Sequence, residues 1–237
     1  YIADSGNYRV MKWAPGATEG IPVAYSAYPN SAFIGANISI HVDSSGDIYV
    51  AEMFNHRVTK WVQGASEGIV VAGGNGSGSS YNQLNKPTGV FVDDDGNVYV
   101  SESNNNRVMK WAPEASEGIL VAGGNSGGSG LNQLKHPHKV NVHSSGDIYI
   151  ADEGNNRIIK WESGASEGIV VAGGDLNNPA GFGIGDLNDI SRIIYPRGMY
   201  VTEDREIYIA DRGNNRVVLW KEGDKKGKLI SEGRSNS

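Results

Sequence analysis

The densest chemistry in the chain lies in His136-Pro-His-Lys-Val-Asn-Val-His143, which carries three imidazoles and an ammonium within eight residues. Three imidazoles on one ion, with water in the fourth position, are the donor set of a catalytic zinc. His136 and His138 bracket a proline. His143 lies at the far end of the same stretch, so on an extended strand it faces away from the other two. The second chemistry open to this stretch is anion binding. His138 and Lys139 follow one proline, and Arg197 follows another in Tyr-Pro-Arg-Gly. Whether these groups meet depends on the elements that carry them.

Those elements repeat. The five tryptophans, Trp13, Trp61, Trp111, Trp161 and Trp220, close near-identical phrases such as Asn-Asn-Asn-Arg-Val-Met-Lys-Trp, and lie 48, 50, 50 and 59 residues apart. A period near 50 suits a four-stranded propeller blade. The unit that opens at Pro87 reads as four strands: TGVFV, closed by a turn of Asp and Gly; NVYVSES; RVMKW after an Asn-rich turn; and EGILVAGG. They are short, β-branched or aromatic, and lack any sustained helical period. Such a sheet buries too little alone, so neighbours must cover its faces.

With Pro87-x-Gly89-Val90, partly repeated at Pro196 and Gly198, with Gly46 to Glu52 and Gly146 to Asp152 as Gly-x-Ile-Tyr-Val/Ile-Ala-acid strands, and with the Asn-x-Arg turn and its Trp, the chain resembles NHL-repeat β-propellers. The resemblance covers essentially the whole chain. It implies an all-β propeller with repeats at 1–37 (incomplete), 38–86, 87–136, 137–195 and 196–237, and nineteen strands, because the first unit lacks its innermost one. Five blades are expected in this chain. The alternative is a piece of a longer, six-bladed protein.

Groups present in every repeat are expected to be architectural. Arg9, Arg57, Arg107, Arg157 and Arg216 each follow an acid by five residues and can pair with it. The tryptophans anchor packing. Function is expected where the repeats differ. Ile38, Thr88, His138 and Arg197 occupy the position at the mouth of the central channel, which puts His138, Lys139 and Arg197 on one rim with His136 nearby. The enlarged linker 173–196 carries a second candidate site at Asn178, Phe182 and Asp186. Asp93-Asp-Asp-Gly-Asn97 looks like a calcium loop but lacks the later bidentate Glu, and reads as a tight turn.

Net charge is −6, the pI about 5.4, and there is no cysteine. This excludes thiolate sites and disulfides, and the chain lacks the basic footprint of a nucleic-acid binder. No apolar run is long enough to span a bilayer. No Gly-x-Ser-x-Gly elbow or P-loop is present. The sequons at Asn37 and Asn75 favour an extracellular setting. No leader is visible, although one could have been removed ahead of Tyr1. The expectation is a binding module for a protein, peptide or glycan, without nucleic acid, membrane insertion or cofactor. Two alternatives remain: a zinc- or calcium-dependent lyase or hydrolase at the channel mouth, as some propellers resembling this family are, and a structural scaffold.

Overall fold

A computed structural model describes residues 1–25, 39–174 and 190–233. Among them are nineteen strands in five antiparallel sheets, and three single-turn 3-10 helices at Ser5–Asn7, Glu153–Asn155 and Arg212–Asn214. The first sheet holds β1 (Ile2–Asp4), β2 (Arg9–Lys12) and β3 (Ile21–Tyr25). The second holds β4 (Ser39–Val42), β5 (Ile48–Glu52), β6 (Arg57–Trp61) and β7 (Ile69–Gly73). The third holds β8 (Pro87–Val92), β9 (Val98–Glu102), β10 (Arg107–Trp111) and β11 (Ile119–Gly123). The fourth holds β12 (Pro137–Val142), β13 (Ile148–Asp152), β14 (Arg157–Trp161) and β15 (Ile169–Gly173), and the fifth β16 (Pro196–Val201), β17 (Glu206–Asp211), β18 (Arg216–Lys221) and β19 (Lys228–Glu232). In each sheet the strands follow in chain order, which is the blade of a β-propeller. The residues form two compact units, one of Tyr1–Asn104 with Met109–Leu120, the other of Asn105–Val108 with Val121–Ser237.

The period-two pleat explains the core of the first unit. In β5, Ile48 and Val50 cluster with Val10 and Ala24 of the first sheet, while Tyr49 and Ala51 cluster with Val90, Val98 and Trp111. Successive side chains point to opposite faces, so one strand serves two neighbours and reads as continuously apolar. In the second unit Tyr149 and Ala151 join Met199, Val201, Ile207 and Trp220 in the same way.

An acid–Arg pair closes the β1–β2, β5–β6, β13–β14 and β17–β18 turns. Asp152 and Arg157 face each other in register, and Arg157 Nε donates to Asp152 Oδ2 at 2.7 Å. Asn155 Nδ2 donates to the same carboxylate at 2.8 Å. The other carboxylate oxygen accepts the Lys135 N–H at 2.7 Å, and the guanidinium donates to the carbonyls of Ser129, Gly130 and Gln133. The pair therefore pins the incoming linker to the sheet. Asp211 and Arg216 do the same, taking the Ile194 N–H and the Arg192 carbonyl. Arg157 and Arg216 thus each hold linker carbonyls as well as their acid.

Four tryptophans are at most 6% exposed, each lying against the glycine that opens the next strand. A Cβ on Gly118 would fall 2.8 Å from the Trp111 ring. Trp13 departs from the expectation at 43% exposed. Strand β2 ends at Lys12, so Trp13 lies outside the ladder that seats its counterparts.

The outermost strands leave Ile21, Ile69, Ile119, Ile169 and Leu229 exposed. In the four of these sheets whose outer pairing is resolved residue by residue, a register shift interrupts it: at Val10/Met11, Val58/Thr59, Ile158/Ile159 and Val217/Val218. Such irregularities add twist and blunt an open edge against pairing with another chain.

Candidate functional site

Innermost strands open on an irregularity the sequence did not reveal. In β12, Pro137 pairs with Asp152 and Val140 with Ile150, so His138 and Lys139 share the space opposite Ala151. In β16, Pro196 pairs with Asp211 and Gly198 with Ala210, leaving Arg197 as the extra residue. Thr88 holds that position in β8, between the pairs Pro87–Glu102 and Gly89–Ser101. A bulge releases its extra residue from the ladder and re-aims the side chain. The positions that vary between repeats are thus the ones freed from the pleat.

In the second unit this brings together His138, Lys139, Arg197 and Glu153. Arg197 Nε donates to Glu153 Oε1 at 2.8 Å; the arginine is 41% exposed and the glutamate 14%. Glu153 occupies the 3-10 turn after β13. Sequence reasoning missed it, although a signal existed: the residue after the strand-end acid varies, as Ser5, Met53, Ser103, Glu153 and Arg212. Burial lowers the proton affinity of His138, and the Arg197 and Lys139 charges add to this. Glu153 and a backbone hydrogen bond with Arg197 oppose them. Burial pushes the Lys139 ammonium down to about 8. The cluster offers two cations and one imidazole against one carboxylate, chemistry suited to an anion.

The remaining candidates lie elsewhere. Thr88 is 3% exposed, its hydroxyl directed at the Ser101 carbonyl at 3.4 Å. His136 has φ 47° and its N–H donates to Asn106 Oδ1 at 2.9 Å. Lys86 (φ 53°) and Tyr195 (φ 50°) occupy the same left-handed turn and donate to His56 Nδ1 and Asn156 Oδ1, so the backbone at His136 belongs to the repeat. His143 lies in the turn beyond β12, its ring nitrogens 2.8 Å from Ser145 Oγ and 3.1 Å from the Glu203 carbonyl oxygen. It sits a strand's length from His138, roughly 15 Å. Among the described residues no three His, Cys, Asp or Glu side chains stand close enough to share a metal ion. Asp93 Oδ1 accepts the N–H groups of Asp95 and Asn97, which makes 93–97 a tight turn. Asn178, Phe182, Asp186, Ile38 and the sequon at Asn37 lie outside the described residues. No helix among the described residues is long and apolar enough to cross a membrane.

The NHL-repeat family model matches residues 84–111, 134–161 and 194–218, the stretches that enter the third, fourth and fifth sheets. No curated protein matches the chain in sequence. Among solved structures it is similar to a streptogramin B lyase, with a TM-score of 0.57 at 12% identity over 99% of this chain and 65% of that one. It is also similar to a chain of a nidogen–laminin complex, with a TM-score of 0.66 at 15% identity over 92% and 70%. An auxiliary nutrient binding protein from Bacteroides thetaiotaomicron gives 0.57 at 17% identity over 81% and 50%. The chain thus spans under two thirds of the length of the lyase and of the nutrient binding protein. At these identities the likeness concerns the fold. Repeated acid–Arg turns, blade-forming sheets and three family-model matches support an NHL-repeat β-propeller.

Proposed function

We propose that the chain is a non-enzymatic binding module, and that an acidic segment of a protein, peptide or glycan seats on His138, Lys139 and Arg197. The observation that carries this reading is the pair of bulges that free His138, Lys139 and Arg197 from their ladders and set them beside Glu153. Glu153 orients the guanidinium while leaving it two-fifths exposed, so an incoming carboxylate or sulfate can take its outer edge. Half-buried Lys139 supplies a second charge in surroundings of reduced dielectric, where an anion gains more than at an open surface. Among the similar structures, one is named as part of a nidogen–laminin complex and one as a nutrient binding protein, which is compatible with a binding role.

The test is binding of a polyglutamate peptide and of a sulfated oligosaccharide to the intact chain, measured by calorimetry. Binding of either one is expected, falling about tenfold in Arg197→Gln and again in Lys139→Gln. Unchanged affinity in both variants overturns the reading. So does chemical conversion of the bound ligand that disappears in His138→Ala, which would mark an enzyme.

A further inference from the structure

In the first three sheets a lysine lies over a tyrosine of the preceding strand or, in the first sheet, over the tyrosine just before that strand. Lys12 over Tyr1, Lys60 over Tyr49 and Lys110 over Tyr99 are each 5.3 Å from the ring centroid. In the fourth sheet, the equivalents Lys160 and Tyr149 meet the fifth sheet instead. Glu222 pairs with Lys160 and accepts from the Tyr149 hydroxyl at 3.4 Å. Arg205 pairs with Asp147 at 2.9 Å and with Glu222 at 3.5 Å. Two acids and two bases fill this gap between sheets, and Lys160 is left 5% exposed.

By position in the repeat, Gly96 corresponds to Arg205 and Pro113 to Glu222. In the first unit these residues bring no charge, and a groove of about 630 Å³ opens, lined by Tyr49, Lys60, Val71, Val98, Trp111 and Pro113. A space of that size suits a small molecule. Lys60 turns to Asp47 at 2.9 Å. Glu114 also lines the groove and Asp47 borders it through Lys60, so a lone anion would meet carboxylates and a lone cation would meet Lys60. A molecule with both charges satisfies both, as Arg205 and Glu222 do in the second unit.

We propose that this groove binds an α-amino acid. The ammonium takes Asp47, the carboxylate takes Lys60 beside Tyr49, and an aliphatic side chain lies against Val71, Val98, Trp111 and Pro113. Binding exchanges one internal ion pair for two, in a site whose walls exclude water on the apolar side.

The intact chain is titrated with L-leucine, with 4-methylpentanoate as the anion-only probe and isopentylamine as the cation-only probe, by calorimetry and by NMR of the Trp111 indole. Leucine is expected to bind saturably, and each single-charge probe about tenfold more weakly or worse. Lys60→Gln weakens leucine by about tenfold. The double variant Gly96→Arg/Pro113→Glu, which copies the charges of the filled gap and is expected to fold, abolishes binding. Arg197→Gln leaves it intact, so the two sites fail separately. Equal binding of a single-charge probe, leucine binding unchanged in Lys60→Gln or in the double variant, or no saturation by ~10 mM overturns the proposal.

Discussion

Arg157 and Asp152 form an ion pair at 2.7 Å with side chains 5% and 0% exposed, whereas the same pair in the first sheet, Arg9 and Asp4 at 2.8 Å, is 41% and 27% exposed. One motif therefore stands in two dielectric settings, and its energetic weight must differ between them. The buried arginine also holds three linker carbonyls.

Arg157→Met is expected to cost about 3–5 kcal/mol, because it leaves a buried carboxylate without its cation and three carbonyls without a donor. Arg9→Met should cost far less, because an exposed pair is screened by solvent. Urea unfolding of the two variants checks this. Similar losses would mean that neither burial of the charge nor the linker contacts add to the pair's weight.

Trp111 is 1% exposed and Trp13 43%. Trp111→Ala should lower stability by about 3–5 kcal/mol, and Trp13→Ala by a small fraction of that. Gly118→Ala places a methyl group 2.8 Å from the Trp111 ring and should also destabilise, by about 1–3 kcal/mol, through overpacking. Indole fluorescence during unfolding reports on the ring in question, since each variant can be read against the parent chain.

Lys139 releases its proton at about 8, below the ordinary lysine range. Between about 8 and about 10 the unfolded chain therefore binds more protons at this position than the folded one, and the lysine's contribution to stability rises with pH across that window. Below it, the folded protein carries a charge that burial disfavours. Lys139→Met should thus raise the melting temperature at pH 7, with a gain that shrinks as pH climbs toward 10 or so. Anion binding at the His138–Arg197 cluster should weaken over the same rise, as the ammonium discharges. A constant gain at all pH values would assign it to packing alone.

Local rules carried the fold. The apolar run in Asp147-Ile-Tyr-Ile-Ala-Asp152 needs only a strand covered on both faces, and the pairing of Asp152 with Arg157 needs only a turn of fixed length, so both are legible in the linear chain. The groups at the His138 cluster were half legible. Their variation between repeats singled out His138, Lys139 and Arg197, but the bulges that release them arise where Pro137 and Pro196 set the start of pairing, and Glu153 reaches Arg197 only through space. Burial was legible only in part: Trp13 and Trp111 close nearly the same phrase and each meets a glycine, yet Trp13 lies outside its ladder and is 43% exposed while Trp111 is 1% exposed. The same is true of the gaps between sheets. Gly96 against Arg205 and Pro113 against Glu222 look like ordinary drift in turn residues. Their consequence, an open groove in one unit and a closed charge network in the other, depends on which side chains face one another across two sheets, and that is decided by packing between elements rather than by spacing along the chain.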